Sequence, residues 1–219
     1  NFLHYSGYWA EDDYIQGFSH LHAHGTGATD YGVLGVMPLD VFDASRTTQS
    51  GYESHFDKST EVASPGYYAV TLDRGSIRTE ITATAHGAHH RYTYPKETAE
   101  GHVVFDLDHH LNGGEVTYAE FTLEPLAQRI TGTLHHNGGM SDGFGGYDVF
   151  FDIVTRAPWA KSRVFSGSAA PVEGTTASGD KVGFVLSFDL TSGMPIEMQV
   201  GISLVSLENA SANRQTELP

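Results

Sequence analysis

"KVGFVLSFDL" (181–190) is the stretch on which the fold turns. Val182, Phe184, Leu186, Phe188 and Leu190 recur at every second position, with Lys181, Gly183, Ser187 and Asp189 between them. A period of two marks a β-strand, whose side chains point alternately to opposite faces. The same pattern returns in "IEMQVGISL" (196–204), where Ile196, Met198, Val200, Ile202 and Leu204 alternate with Glu197, Gln199, Gly201 and Ser203. Both read as half-buried strands. The intervening "TSGMP" (191–195), with its Gly and Pro, predicts a short turn and hence an antiparallel hairpin.

Working outward, "IRTEITAT" (77–84) sets Ile77 and Ile81 against Arg78 and Glu80, and "YDVFFDIV" (147–154) sets Tyr147, Val149, Phe151 and Ile153 against Asp148 and Asp152. "YYAVTL", "HHRYTY", "HVVFDLD", "EVTYAEFTL" and "QRITGTL" add segments of similar length. The expectation is about nine or ten strands. Glycine-rich breaks such as "LNGGE" and "HNGGMSDGFGG" separate them, and no helix long enough for a crossover intervenes. An all-β fold follows, two antiparallel sheets packed as a β-sandwich over residues 1–205. The tract "SLENASANRQTEL" (206–218) is compatible with a helix but has a thin apolar stripe, so 206–219 reads as an exit toward whatever follows.

With 219 residues and 39% hydrophobic content, the chain can bury the core of one large domain. A formal net charge of −15 opposes binding to nucleic acid or an anionic membrane surface. The chain has no cysteine, which removes disulfides, thiolate metal sites and thiol nucleophiles. Nothing approaches the ~20 apolar residues of a membrane span. The chain opens without methionine or a signal-like segment and reads as processed or excised.

The most unusual local pattern is "GFSHLHAHGTGATDYGVLGVMP" (17–38). His20, His22 and His24 would lie on one face of a strand, which describes a polar strand face as well as it describes a metal site. Gly25, Gly27 and Gly32 permit close approach of a ligand or another chain. No P-loop lysine and no nucleophile elbow accompany them. Carboxylates such as Asp106 and Asp108, alternating with Leu107, read as an outward strand face. Trp9 and Tyr14, set in polar surroundings, are the aromatic residues most suited to stacking on a sugar ring.

The wording of "YIQGFSHLHAHGTGATDYGVLGVMP" (14–38) resembles the signature near the start of glycoside hydrolase family 92. The likeness continues in order through "YESHFDKSTEVASPGYYAVTL", "IRTEITATAHGAHHRYTYP" and "VGISLVSLENASANRQTELP". The resemblance implies an N-terminal supersandwich of the galactose-mutarotase type, preceding an (α/α)6 barrel that lies outside this chain. It implies a calcium-dependent, exo-acting, inverting α-mannosidase whose partners are mannose-containing glycans, with α-1,2 linkage the expected preference. The general acid, general base and calcium ligands would belong to the barrel, so no catalytic or metal-binding residue is assigned here. His20, His22, Asp30, Trp9 and Thr26 would help to shape the sugar pocket. His24 departs from the pattern, where small or polar residues are usual, and the glycine- and proline-containing segment expected upstream of Tyr5 is absent. The family's usual export implies the periplasm, the cell surface or the outside. The alternative, suggested by the acidic, aromatic-rich all-β composition, is a free-standing carbohydrate-binding module.

Overall fold

The structure is a computed structural model and describes residues 10–22 and 29–218. The strands are β1 (Tyr14–Ile15), β2 (Phe18–His22), β3 (Tyr31–Leu39), β4 (Ser54–His55), β5 (Val62–Ser64) and β6 (Tyr67–Leu72). Then come β7 (Ile77–Ala83), β8 (Gly87–Thr93), β9 (Glu100–Asp106), β10 (Gly114–Glu124), β11 (Arg129–Gly138) and β12 (Tyr147–Thr155). Last are β13 (Lys161–Ser166), β14 (Val172–Glu173), β15 (Thr176–Gly179), β16 (Val182–Asp189) and β17 (Ile196–Ser203). Two helices, α1 (Gln49–Tyr52) and α2 (Leu207–Glu217), complete the chain together with short 3-10 turns.

These strands form a nine-stranded sheet, in the order β15-β10-β11-β12-β17-β8-β7-β6-β5, facing a six-stranded sheet, β14-β13-β16-β9-β3-β2. β1 and β4 make a separate pair. The architecture is the antiparallel sandwich expected from the alternation, with more strands than the nine or ten expected. Very short edge strands such as β5 and β14 carry too few residues to show a period.

The decisive stretch behaves differently from its half-buried reading. Across the six-stranded sheet, Val36, Phe105 and Phe184 form one row, and Met37, Val104 and Val185 form the next. The first row faces the interior between the sheets, where the Phe105 and Phe184 rings stack at 4.4 Å and Phe121 of the opposite sheet lies 4.7 Å from Phe184. The second row faces outward but is covered by Tyr52, Phe56 and Phe165 in a second apolar cluster. Both faces of β16 are therefore buried, and each large side chain so placed contributes about 1.5–3 kcal/mol.

The expected 181–204 hairpin is also corrected. β16 pairs with β13 and β9, whereas β17 lies in the other sheet between β12 and β8. A short Gly/Pro connection serves a turn within one sheet or a step to the facing sheet about 10 Å away, and local residues do not distinguish the two.

The C-terminal tract is a helix. The Ser206 hydroxyl caps it, accepting from Asn209 N–H at 3.2 Å, and Glu208 in the first turn suits the positive end of the helix dipole. Its docking explains how a thin apolar stripe suffices. Ala210 alone among its residues is fully buried, and the helix lies on the outer face of β17 where Gly201 leaves space. A Cβ on Gly201 would collide with Ala210 O and come 2.5 Å from Arg214 Cβ. Gly201→Ala should therefore cost about 1–3 kcal/mol and speed amide exchange across 207–217. Unchanged exchange there would mean that the close approach does not hold the helix.

Candidate functional site

The histidine-rich segment forms β2 and β3, paired as Phe18↔Val36, His20↔Val33 and His22↔Tyr31, with a register shift between Phe18 and His20. The backbone around it is unusual: Leu21, Tyr31 and Leu34 all have positive φ, at 62°, 73° and 55°. Such strain in residues other than glycine persists only where surrounding packing dictates it, and it gathers at functional sites.

His20 does not project to solvent. It is 6% exposed and points between the sheets, where its Nε2 lies 3.2 Å from Nε2 of His90 on β8. The proton positions follow from the partners. Leu34 O can only accept, so His20 Nδ1, 2.9 Å away, carries a proton. His20 Nε2 must then accept from His90 Nε2–H, which leaves His90 Nδ1 to accept from the Tyr92 hydroxyl at 2.9 Å. Both rings are neutral in this chain of bonds. Burial lowers the pKa of His20 despite the Leu34 carbonyl, and burial followed by the proximity of His20 and His89 puts His90 well below the usual range.

Asp30 holds the other side of the segment. Its carboxylate is buried and accepts from Met140 N–H at 2.7 Å and Ser141 N–H at 3.0 Å, which ties β3 to the glycine-rich 138–146 turn. Burial works to raise its pKa, but the bonds from Ser141 and Met140, with nearby His136, hold it below the usual value. Beside it, Tyr31 N–H donates to the Tyr147 hydroxyl at 2.6 Å and the two rings lie 5.1 Å apart. The expected site residues thus separate. His20 and Asp30 are interior residues on either side of 23–28, and His22 ends β2 opposite Tyr31. Trp9 and Thr26, like His24, Gly25 and Gly27, lie outside the described residues. Among the described residues no three His, Asp or Glu side chains are grouped so as to hold a metal ion.

Three acids expected on outward faces, Asp106, Asp152 and Glu197, are buried instead. Asp106 closes β9 and is 6% exposed, and Asp152 on β12 is fully buried. Alternation assigns a face but not what covers it: Tyr52 and its neighbours lie over Asp106, and α2 lies over Asp152. The partners His90, Tyr92, Met140 and Ser141 were not among the expected site residues. The alternation of Ala88, His90 and Tyr92 was the available signal for an inward-facing histidine.

This fold is shared with solved glycosidases. A family 92 α-mannosidase of Bacteroides thetaiotaomicron, solved with mannoimidazole, superposes with a TM-score of 0.86 at 26% identity, covering 97% of this chain and 29% of that one. A family 92 glycosyl hydrolase called ccman5 gives 0.84 at 25% identity over 97% of this chain and 29% of its own. An uncharacterized secreted glycosidase of Arthroderma benhamiae is 25% identical over 98% of this chain, which spans 30% of that protein's length. The molecule is thus a sandwich domain of the glycoside hydrolase class. More particularly, the chain belongs to glycosyl hydrolase family 92, whose N-terminal domain matches residues 1–203. No helix among the described residues is long and apolar enough to cross a membrane.

Proposed function

We propose that this chain is the N-terminal sandwich of an exo-acting α-mannosidase that removes terminal α-1,2-linked mannose with inversion. The observation that carries the reading is the fixing of the signature segment on both sides of 23–28, by the His20–His90 bridge and by the Asp30 carboxylate. Anchors of this kind fix the residues that flank 23–28, which is the positioning that a recognition segment needs. In this reading His22 and Thr26 bond sugar hydroxyls, Trp9 stacks on a pyranose face, and His20 and Asp30 act as positioning residues.

Inversion requires an acid and a base carboxylate about 6.5–9.5 Å apart with water between them. Both would come from an (α/α)6 barrel partner domain outside this chain. The likeness to family 92 would place the implied calcium in that domain as well. The relative of Arthroderma benhamiae is a secreted glycosidase, which supports an extracellular, periplasmic or cell-surface location.

The test is hydrolysis of α-1,2-mannobiose by the intact protein, with NMR reading the first-formed anomer. β-Mannose should appear first, and a chelator should abolish turnover. α-Mannose first, or no hydrolysis, would overturn the reading. Thr26→Ala should raise KM or lower kcat by about tenfold, the scale of one lost oriented hydrogen bond. Unchanged kinetics would remove Thr26 from the pocket.

A further inference from the structure

Of the four buried acids among the described residues, Asp30 is held by backbone N–H groups, and the other three are treated in two different ways. Asp152 is met by Arg129 and Arg214, and Glu197 by Arg91 and Arg156, and both carboxyls are held below their usual pKa although burial opposes it. Asp106, equally buried, is bonded instead by the neutral Tyr52 hydroxyl at 2.9 Å and Asp108 N–H at 3.0 Å. Burial pushes its pKa up to about 7, with the Tyr52 bond working against the rise and Asp108 adding to it. The fold keeps an acid here at a cost in stability that it avoids at the other two sites.

Glycine on both neighbouring strands admits two rings beside that carboxyl. Its two cross-strand neighbours are both glycine, Gly35 on β3 and Gly183 on β16. Where their side chains would stand, the His109 ring and the Phe165 ring stand instead. Tyr52 continues the network to His109 Nδ1 at 3.2 Å, and His109 Nδ1 lies 3.0 Å from Gln49 Nε2. Over this network opens a cleft of about 710 Å³, lined among others by Asp106, Asp108, His110, Gln49, Lys181 and Phe165. That volume is within the range of small-molecule sites, about 300–1,000 Å³.

The lining chooses the ligand. Two carboxylates disfavour an anion, and His110 turns its Nδ1 to Asp108 O at 2.6 Å, so that no three acidic or histidine side chains among the described residues are grouped to hold a hard cation. Carboxylates that accept, amides that both donate and accept, one ammonium donor and an aromatic ring match a neutral ring bearing adjacent hydroxyls. We propose that the cleft over Asp106 is a pyranose-binding site, in which Asp106 and Asp108 accept from neighbouring sugar hydroxyls and Gln49 and Lys181 donate to them. It rests on the sandwich's own residues and is independent of the mannosidase reading.

The experiment is an amide NMR titration of the full chain with methyl α-D-mannopyranoside and, separately, methyl α-D-glucopyranoside. Saturable shifts at millimolar sugar are expected for residues 106–110, Gln49 and Lys181. Asp106→Asn should weaken binding about tenfold or more, because a charge-assisted acceptor is lost. Its fold should survive, since a neutral amide is less costly to bury than a carboxylate. Asp108→Ala, at the half-exposed rim, should weaken binding by a similar factor and guards against a folding artefact. Absence of saturable shifts with both sugars, shifts confined to other surfaces, or wild-type affinity in both variants would overturn the proposal. Saturation of the same amides by calcium chloride alone, with none by sugar, would also overturn it.

Discussion

Replacing Asp152 by alanine is expected to destabilise the sandwich by about 3 kcal/mol, lowering Tm by about 6–12 °C for a chain of this size. The carboxylate is fully buried and serves three elements at once. It sits on β12, accepts a bidentate pair from Arg129 of β11 at 3.1 Å and 3.1 Å, and lies 3.4 Å from Nε of Arg214 on α2. The Arg214 approach is an ion contact rather than a well-formed hydrogen bond. Removing the carboxylate leaves two guanidinium groups facing each other across a small cavity. Arg214 is nearly buried, while Arg129 is about one third exposed and partly relieved by water, which keeps the expectation at the lower end for a broken buried pair. Urea denaturation at constant m-value is the measurement. A loss below about 1 kcal/mol would mean that the arginines find other partners and that α2 is held by its other contacts, the Gly201 approach, Asn213 on Ile202 O and Glu217 on His86. Asp152 has a lowered folded pKa, so its contribution is present above the unfolded value near 3.8 and is lost as pH falls through the folded value.

Acidification from pH 7.5 to pH 5 is expected to cost several kcal/mol through the buried histidines. His20 and His90 are lowered by burial, as is His102, and burial pushes His136 down to about 4. A group whose folded pKa is depressed below an unfolded value near 6.5 contributes stability above pH 6.5. That stability is lost as pH falls, because the unfolded chain binds the proton more readily. Asp106 works in the opposite direction: its raised pKa makes it progressively less costly as pH falls through about 7. One acid does not offset four histidines. The His20–His90 bridge is the most sensitive point, since a second proton on His20 sets two N–H groups against each other at 3.2 Å, and one on His90 Nδ1 removes the acceptor of the Tyr92 hydroxyl. His90→Leu should flatten the pH dependence of Tm between 7 and 5, and His20→Ala should cost about 2–4 kcal/mol at pH 7.5 by leaving a cavity and an unpaired imidazole. In a double-mutant cycle the two positions should couple by more than about 0.5 kcal/mol. Additive losses, or an unchanged pH slope in His90→Leu, would show that the bridge does not join the sheets energetically.

The bridge also gives the signature segment its meaning. A histidine in a conserved-looking polar motif invites a role on a ligand, yet His20 spends both ring nitrogens inside the protein. What it supplies is the position of β2 and β3 against β8. Asp30 does the same from the far side through Met140 and Ser141. The two residues lie 10 apart in sequence and reach partners 70 and 110 positions away, so neither role is visible in the local pattern.

Alternation along 77–84, 147–154, 181–190 and 196–204 was enough to establish an all-β antiparallel sandwich, because side-chain period depends only on local backbone geometry. The order of motifs from 14 to 219 was enough to name the family. Tertiary structure alone decided that 181–204 crosses between sheets, that β16 is buried on both faces, and that α2 docks by a glycine and an ion pair. It also decided which acids and histidines lie inside. Burial and pairing are relations between segments far apart in the chain, and a strand's period states which residues share a face but never what is packed against it.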